Sequence, residues 1–286
     1  MNRQNTVIPL RRQFRDHPVR CCIALALLTL LILQASNTLF RGLPGDAALL
    51  AGLNQTVHMV WPVLLTWLLG YGWCYRRDGF GRTLLAELFL FILQLLALFS
   101  AVMLTLSAPD VQWAKPAQIV VGVLTLVGVG IREESLFRGI VANALGISFG
   151  GEARGVWRAV ILSGLLFGLM HLINLLYGVA LRAVLIQTVM AVMIGIYFTA
   201  VYYRGGNLWA LILLHSLTDT AGLFRSSFTQ MSSTVEDISN LNPASLILIP
   251  VFLCLTAFLL RRKKMEEVIQ NLQRNAAVDA KSLRRT

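Results

Sequence analysis

The chain has 286 residues, 56% of them hydrophobic and only 14% charged, with a mean hydropathy of +0.68. Surface-to-volume scaling limits how much apolar area a soluble domain of this length can bury, so the composition excludes a water-soluble globule and makes the bilayer part of the solvent. The formal net charge of +11 sits in short basic runs flanking apolar segments, with no basic face interleaved with aromatics, so no nucleic-acid partner is expected.

A hydrocarbon core of about 30 Å takes about 20 helical residues. Apolar segments give eight candidate spans, at about 20–36, 57–75, 83–107, 117–149, 157–177, 182–203, 207–223 and 244–260. Break signals separate them, among them Arg76-Arg77-Asp78-Gly79, Ala108-Pro109-Asp110 and Arg204-Gly205-Gly206. The first apolar stretch is long, follows a basic leader and has no small-residue cleavage site, which argues for a span and against a cleaved signal. Four cysteines, Cys21, Cys22, Cys74 and Cys254, show neither metal spacing nor a disulfide framework and are read as reduced packing residues.

With both termini cytoplasmic, the inner segments hold 21 Lys and Arg residues and the outer loops only Arg41, Lys115, Arg182 and Arg225. The positive-inside rule favours that orientation, and an odd number of spans would spoil the partition. The expected fold is therefore an all-α, polytopic membrane bundle of about eight transmembrane helices. It divides into a basic leader (1–19), three N-terminal helices (20–116), a core of four helices (117–223), and an outer loop, eighth helix and basic tail (224–286). In the tail, Met265, Val268, Ile269 and Leu272 share one helical stripe, which suits a helix on the inner membrane surface; a solvated basic tail is the other reading.

Ionisable groups inside spans are costly and usually functional. Most of them fall in three short segments. In Arg132-Glu133-Glu134-Ser135-Leu136-Phe137-Arg138, Glu134 and Arg138 are four apart and can pair along one helical face, leaving Glu133 to point elsewhere. Two carboxylates side by side in a low-dielectric site suit a general base; a charged helix end capping the span is the bland alternative. His171 lies 13 residues, about 20 Å, beyond Arg158, with Asn174 on its side and Gly164 and Gly168 offering a close-packing face. His215 and Asp219 are one turn apart, at a depth close to that of His171, so histidines from two helices can meet. Structural hydrogen bonding could explain any one of these residues, but it would have to explain Glu133, His171, His215 and Asp219 together. Glu87 is expected to snorkel or to pair with Arg82 or Arg204, and His58 and His17 to be wet at span edges.

Taken in order, Glu133-Glu134-Ser135-Leu136-Phe137-Arg138, Phe167…His171 and His215…Asp219 resemble the EExxxR, FxxxH and HxxxN/D motifs of the CAAX-protease and bacteriocin-processing family of intramembrane endopeptidases. The resemblance covers roughly residues 117–223. It implies that Glu133 activates a water for attack on a peptide carbonyl, that Glu134 and Arg138 support it, and that His171 positions the water or the base. His215 with Asp219 would then line the site near the developing oxyanion. Where prenyl-protein proteases of the family often carry Asn, this chain carries Asp219, an acceptor unless protonated, so CAAX specificity is not carried over.

The implied substrate is a hydrophobic or membrane-anchored peptide or protein, reached through a site that opens to the cytoplasm, in a bacterial inner membrane. No cofactor is expected. Zinc would need about three protein ligands and an open position, HExxH is absent and the histidines lie on different helices, so a metal-free glutamate mechanism is favoured. The competing class is a non-catalytic immunity or scaffold protein, or a proton-coupled transporter using the same acids and histidines as a relay. No internal repeat of the transporter kind is visible.

Overall fold

The computed structural model describes residues 4–284, with side chains described over 10–280; Arg3 and Arg285, counted above among the basic ends, lie outside the described residues. Among the described residues the regular elements are all helical, and the one extended pairing is an isolated antiparallel bridge between Trp113 and Thr229.

Residues Gln4–Asp16 form helix α1, which buries Phe14 and ties Arg11 to Asp279 at 2.9 Å. Pro18 then opens α2 (Pro18–Gly42), where its missing N–H costs nothing in the first turn. Asp46 caps α3 (Ala47–Leu68) by accepting from the Leu49 N–H at 2.8 Å. The two helices form a hairpin in which Ser36 Oγ and His58 Nε2 lie 2.6 Å apart. His58 is therefore buried, not wet: in an apolar hairpin its ring finds a hydroxyl partner where water was expected.

Glu87 breaks the next span between α4 (Phe80–Ala86) and α5 (Leu88–Leu106). It neither snorkels nor meets the two arginines expected for it. Arg82 donates to the Gly205 carbonyl at 3.0 Å, Arg204 pairs with Glu267 at 2.6 Å, and Glu87 is wholly enclosed.

The fourth expected span is one continuous rod of three parts: α6 (Pro116–Glu134), a π-helical stretch over Ser135–Ala142, and α7 (Asn143–Phe149). Everything from Glu134 to Leu145 is buried. Helices α8 (Ala153–Met170) and α9 (Leu181–Gly205) approach at the expected small-residue face. A Cβ on Gly168 would stand 2.7 Å from the Val192 nitrogen, and one on Gly195 2.9 Å from the Gly164 Cα. Between them a tight 3₁₀ segment, His171–Tyr177, ends at Gly178 with φ +86°. Asn207 caps α10 (Leu208–Gly222) through the Ala210 N–H, and its amide donates to the carbonyls of Arg76 and Asp78.

Short helices α11 (Phe224–Phe228) and α12 (Thr234–Ser239) follow, then a 3₁₀ turn over Pro243–Leu248, α13 (Ile249–Leu259) and α14 (Arg262–Arg284). The tail helix is real, and its apolar stripe packs on the bundle: Met265, Val268 and Leu272 are buried, with Ile269 partly so. All four cysteines are free, Cys22 and Cys74 buried and Cys254 exposed on the helix surface.

Among the described residues, five helical segments are long and apolar enough to cross a membrane: Pro18–Gly42, Ala47–Leu68, Leu88–Leu106, Ala153–Tyr177 and Leu181–Gly205. A sixth is reached if Pro243–Leu259 and Arg262–Ala280, bent by 73°, are taken as one span. The expected spans outside this set are those built on α6 and α10. One carries Arg132, Glu133 and Glu134 at its end, and the other has only 15 residues. These two helices carry two of the three polar motifs, and ionisable groups within a span usually mark function. The molecule is an all-α membrane protein.

Its loops sort into two faces. Asn37 Nδ2 donates to Tyr177 Oη at 3.1 Å, Trp113 bridges to Thr229, and the Ala180 N–H donates to Ser239 Oγ at 3.4 Å, so the 43–46, 107–115, 171–180 and 223–243 segments share one face. The opposite face gathers α1, α7, α14 and the 69–79 and 204–207 turns, joined by Arg11–Asp279, Arg204–Glu267 and the Asn207 amide.

Candidate active site

Glu134 and Arg138 pair as their spacing predicts, at 2.9 Å and with no side-chain exposure. They straddle the start of the π-helical stretch, and such stretches often mark functional sites. Arg138 also donates to the Gly195 carbonyl at 3.2 Å, and its guanidinium lies 4.7 Å from the Phe167 ring centre and 5.3 Å from that of Phe198. A buried charge is tolerable only when paired and hydrogen-bonded, and Arg138 meets that condition through partners on α6, α8 and α9.

The third histidine-bearing helix closes on this pair. His215 Nδ1 lies 2.7 Å from Glu134 Oε1, the oxygen that Arg138 also holds. A carboxylate oxygen accepts, so Nδ1 carries the hydrogen and Nε2 is turned the other way. There it lies 3.6 Å from Glu133 Oε2 and 3.7 Å from Asp219 Oδ2. Glu133 is held from its far side by Arg132, whose Nη2 is 2.6 Å from Oε1. Unlike Glu134, it keeps some exposure, 15% of its side chain.

His171 stands at the end of α8, where the helix tightens into the 3₁₀ segment. Its Nδ1 donates to the Phe167 carbonyl at 3.1 Å, which leaves Nε2 as a lone-pair acceptor. Phe167 stacks edge-on against Phe137, His171 and His215, with ring centres 5.0, 5.2 and 5.8 Å away, and so fixes both imidazoles from one wall.

The structure therefore brings Glu133, Glu134, Arg138, His215 and Asp219 into one connected cluster, and sets His171 beside it across Phe167. Glu133, His171, His215 and Asp219 line a polar cavity of about 330 Å³ together with Arg132 and Asn174. A second, more apolar cavity of about 260 Å³ shares His171, His215 and Asp219 and runs between α9, α10 and α12 past Met190, Ile194 and Leu241. Among the described residues no group of three or more His, Cys, Asp or Glu side chains is arranged to hold a metal ion.

Three contributors escaped the sequence reading. Arg132 adjoins Glu133 in the chain, and neighbours on a helix do not normally face each other, so their ion pair has no spacing signature. Phe198 and Gly195 belong to α9, which has no motif of its own; a run of small and aromatic residues was the only hint.

The site also corrects an expectation. Its cavities are lined by Asn37, Tyr177, Leu223, Thr234 and Ile238, all on the face away from α1, α7 and α14, so the opening is not on the side of the basic ends.

A family model described as "Rce1-like: Type II CAAX prenyl endopeptidase Rce1-like" matches residues 115–221, a little over a third of the chain. No curated protein and no solved structure matches the chain. The matched stretch contains Arg132, Glu133, Glu134, Arg138, Phe167, His171, His215 and Asp219, but not the cavity wall at Asn37, Leu223, Thr234 and Ile238. Over this core the chain is similar to the type II CAAX prenyl endopeptidases that the family model describes.

Proposed function

We propose that the protein hydrolyses a peptide bond of a membrane-anchored or hydrophobic peptide, with Glu133 as general base and without a metal. The observation that carries this reading is the position of Glu133. It is the carboxylate of the pair that reaches the cavity, steered by Arg132 on one side and faced by His215 Nε2 on the other. In the step envisaged, Glu133 takes a proton from water as the water oxygen bonds to the peptide carbonyl carbon, and the carbonyl oxygen becomes an oxyanion. Collapse of that adduct breaks the C–N bond, and the proton held by Glu133 passes to the leaving nitrogen.

His171 Nε2, an acceptor, can orient the water. Arg132, and His215 through Nε2 in its doubly protonated form, supply the nearest hydrogen-bond donors for the oxyanion, a contribution that is usually among the largest in acyl-group hydrolysis. Glu134, Arg138 and Asp219 act through His215, by fixing its ring. No nucleic acid takes part; the other partner is the lipid bilayer itself. The basic balance of the two faces supports cytoplasmic termini, in a bacterial inner membrane.

The test is mass spectrometry of peptide termini. Purified protein reconstituted in lipid is incubated with membrane extract of the source cell, and wild type is compared with Glu133→Gln. New termini that appear only with wild type establish proteolysis and identify the substrate. A variant that still generates them rules out Glu133 as the base, and tightly held stoichiometric zinc whose removal stops cleavage would rule out the metal-free mechanism.

A further inference from the structure

The depth and direction of the cavity bear on which side of the membrane supplies the substrate. From the carboxylate pair towards α1, α7 and α14 the interior is solid. Phe137, Ile140, Val141, Leu145, Phe198 and Tyr202 are each at most 3% exposed. Tyr203 Oη closes on the Ala142 carbonyl at 2.6 Å, and Asn143 Nδ2 donates to Tyr202 Oη at 3.1 Å, so hydrogen bonds tie the plug across α7 and α9.

In the other direction the walls stay open. The polar cavity climbs from Glu133 past Asn174 and Gln187 to Asn37, Tyr177 and the exposed Thr234. Its apolar branch rises between α9 and α10 to Leu223, Ile238 and Ser245. Both reach the face formed by the 43–46, 107–115, 171–180 and 223–243 segments.

That face is poor in cations. It carries Arg41, Lys115, Arg182 and Arg225, against the many Arg and Lys residues of α1, the 76–82 turn, the 154–158 turn and α14. Short loops rich in Lys and Arg stay in the cytoplasm, so the poor face is the non-cytoplasmic one.

We infer that the catalytic cavity opens away from the cytoplasm, and that the substrate is a membrane-associated peptide presented on the non-cytoplasmic side. Its backbone enters beside α2 and α3 to reach Glu133, and its apolar side chains occupy the branch between α9, α10 and α12. The assignment of a peptide substrate rests on the protease reading above; the sidedness rests only on the position of the cavity and the distribution of charge.

Single cysteines in a background whose four native cysteines are replaced by alanine test it in intact cells, with a small charged thiol reagent that does not cross membranes. The probes are Asn37→Cys in the cavity wall, Thr234→Cys at its mouth, and Gly151→Cys in the turn between α7 and α8, where a side chain meets nothing within 4 Å. The expected result is modification of positions 37 and 234 in intact cells, with position 151 modified only after permeabilisation. Modification of position 151 alone in intact cells overturns the inference by inverting the molecule. Absence of reaction at position 37 on either side, in a variant whose melting temperature matches that of the cysteine-free background, overturns it by showing a closed cavity. Labelling needs no turnover, so the expected pattern combined with no cleaved peptide would sink the protease reading and leave the sidedness standing.

Discussion

His215 Nδ1 and Glu134 lie 2.7 Å apart, sharing the carboxylate oxygen that Arg138 holds at 2.9 Å. One oxygen thus ties α6 to α10 and, through the guanidinium, to α9. The two adjacent glutamates therefore do different work, Glu134 in the fold and Glu133 in the chemistry, and their variants should separate.

Glu133→Gln is expected to leave the melting temperature near that of wild type while lowering the cleavage rate by about 10²–10⁴, the usual worth of a general base. Glu134→Gln leaves Arg138 buried without its counter-charge and is expected to destabilise by roughly 3–5 kcal/mol. Thermal unfolding of the two proteins in the same detergent decides it; equal melting temperatures would mean that the division of labour is wrong.

Asp219 Oδ2 lies 3.7 Å from His215 Nε2. Asp219→Asn keeps an oxygen at that position and is expected to retain cleavage within about tenfold, whereas Asp219→Leu removes the polar partner and should cost about 10² or more in kcat, with KM little changed. Steady-state kinetics on an identified peptide separate these outcomes.

At Gly168, as at Gly164, α8 and α9 approach closely. A methyl group there meets the backbone of Thr188 and Val192 at 2.7–2.8 Å, and backbone does not yield as a flexible side chain would. Gly168→Ala is expected to cost about 1–3 kcal/mol by overpacking and to move His171 relative to the carboxylates. A lower melting temperature accompanied by reduced cleavage is the expected pair of results; neutral behaviour in both would show that the helices part easily.

Glu87 is buried, and neither of its oxygens has a hydrogen-bond partner among the described residues. An uncompensated polar group in that position is a burden to the fold, so Glu87→Met is expected to raise stability by roughly 1–3 kcal/mol. A fall in melting temperature would point to a role for the carboxyl group that packing does not reveal.

Much of the site was legible because helical spacing is arithmetic. The four-residue interval from Glu134 to Arg138, and that from His215 to Asp219, each fixes a pair on one face, and both pairs stand as read. What spacing cannot supply is direction along the membrane normal. His171 can be placed about 20 Å from Arg158 by counting residues, yet which end of the cavity is plugged depends on how Phe198, Tyr202 and Tyr203 of α9 pack against the π-helical stretch. For the same reason Glu87 and His58 were misread: each sits at a span edge by count, but a neighbouring helix covers it. The charged tail shows the reverse case, since the Met265, Val268 and Leu272 stripe predicted the helix but not the surface it would cover.

The π-helical stretch over Ser135–Ala142 constrains how the chain can change in length. Each hydrogen bond there closes a ring one residue longer than an α-helix would, so the stretch holds a residue of slack between Glu134 and Asn143. Adding a further residue beside Ile140 or Val141 would exceed what the wider turns take up and rotate all that follows by roughly 100°. The Ala142 carbonyl would leave Tyr203, Asn143 would leave Tyr202, and the plug behind the carboxylates would lose its seal. Exchanges of one apolar side chain for another in this stretch are mild by comparison. The number of residues between Glu134 and Asn143, more than the identity of any one of them, is what the site depends on.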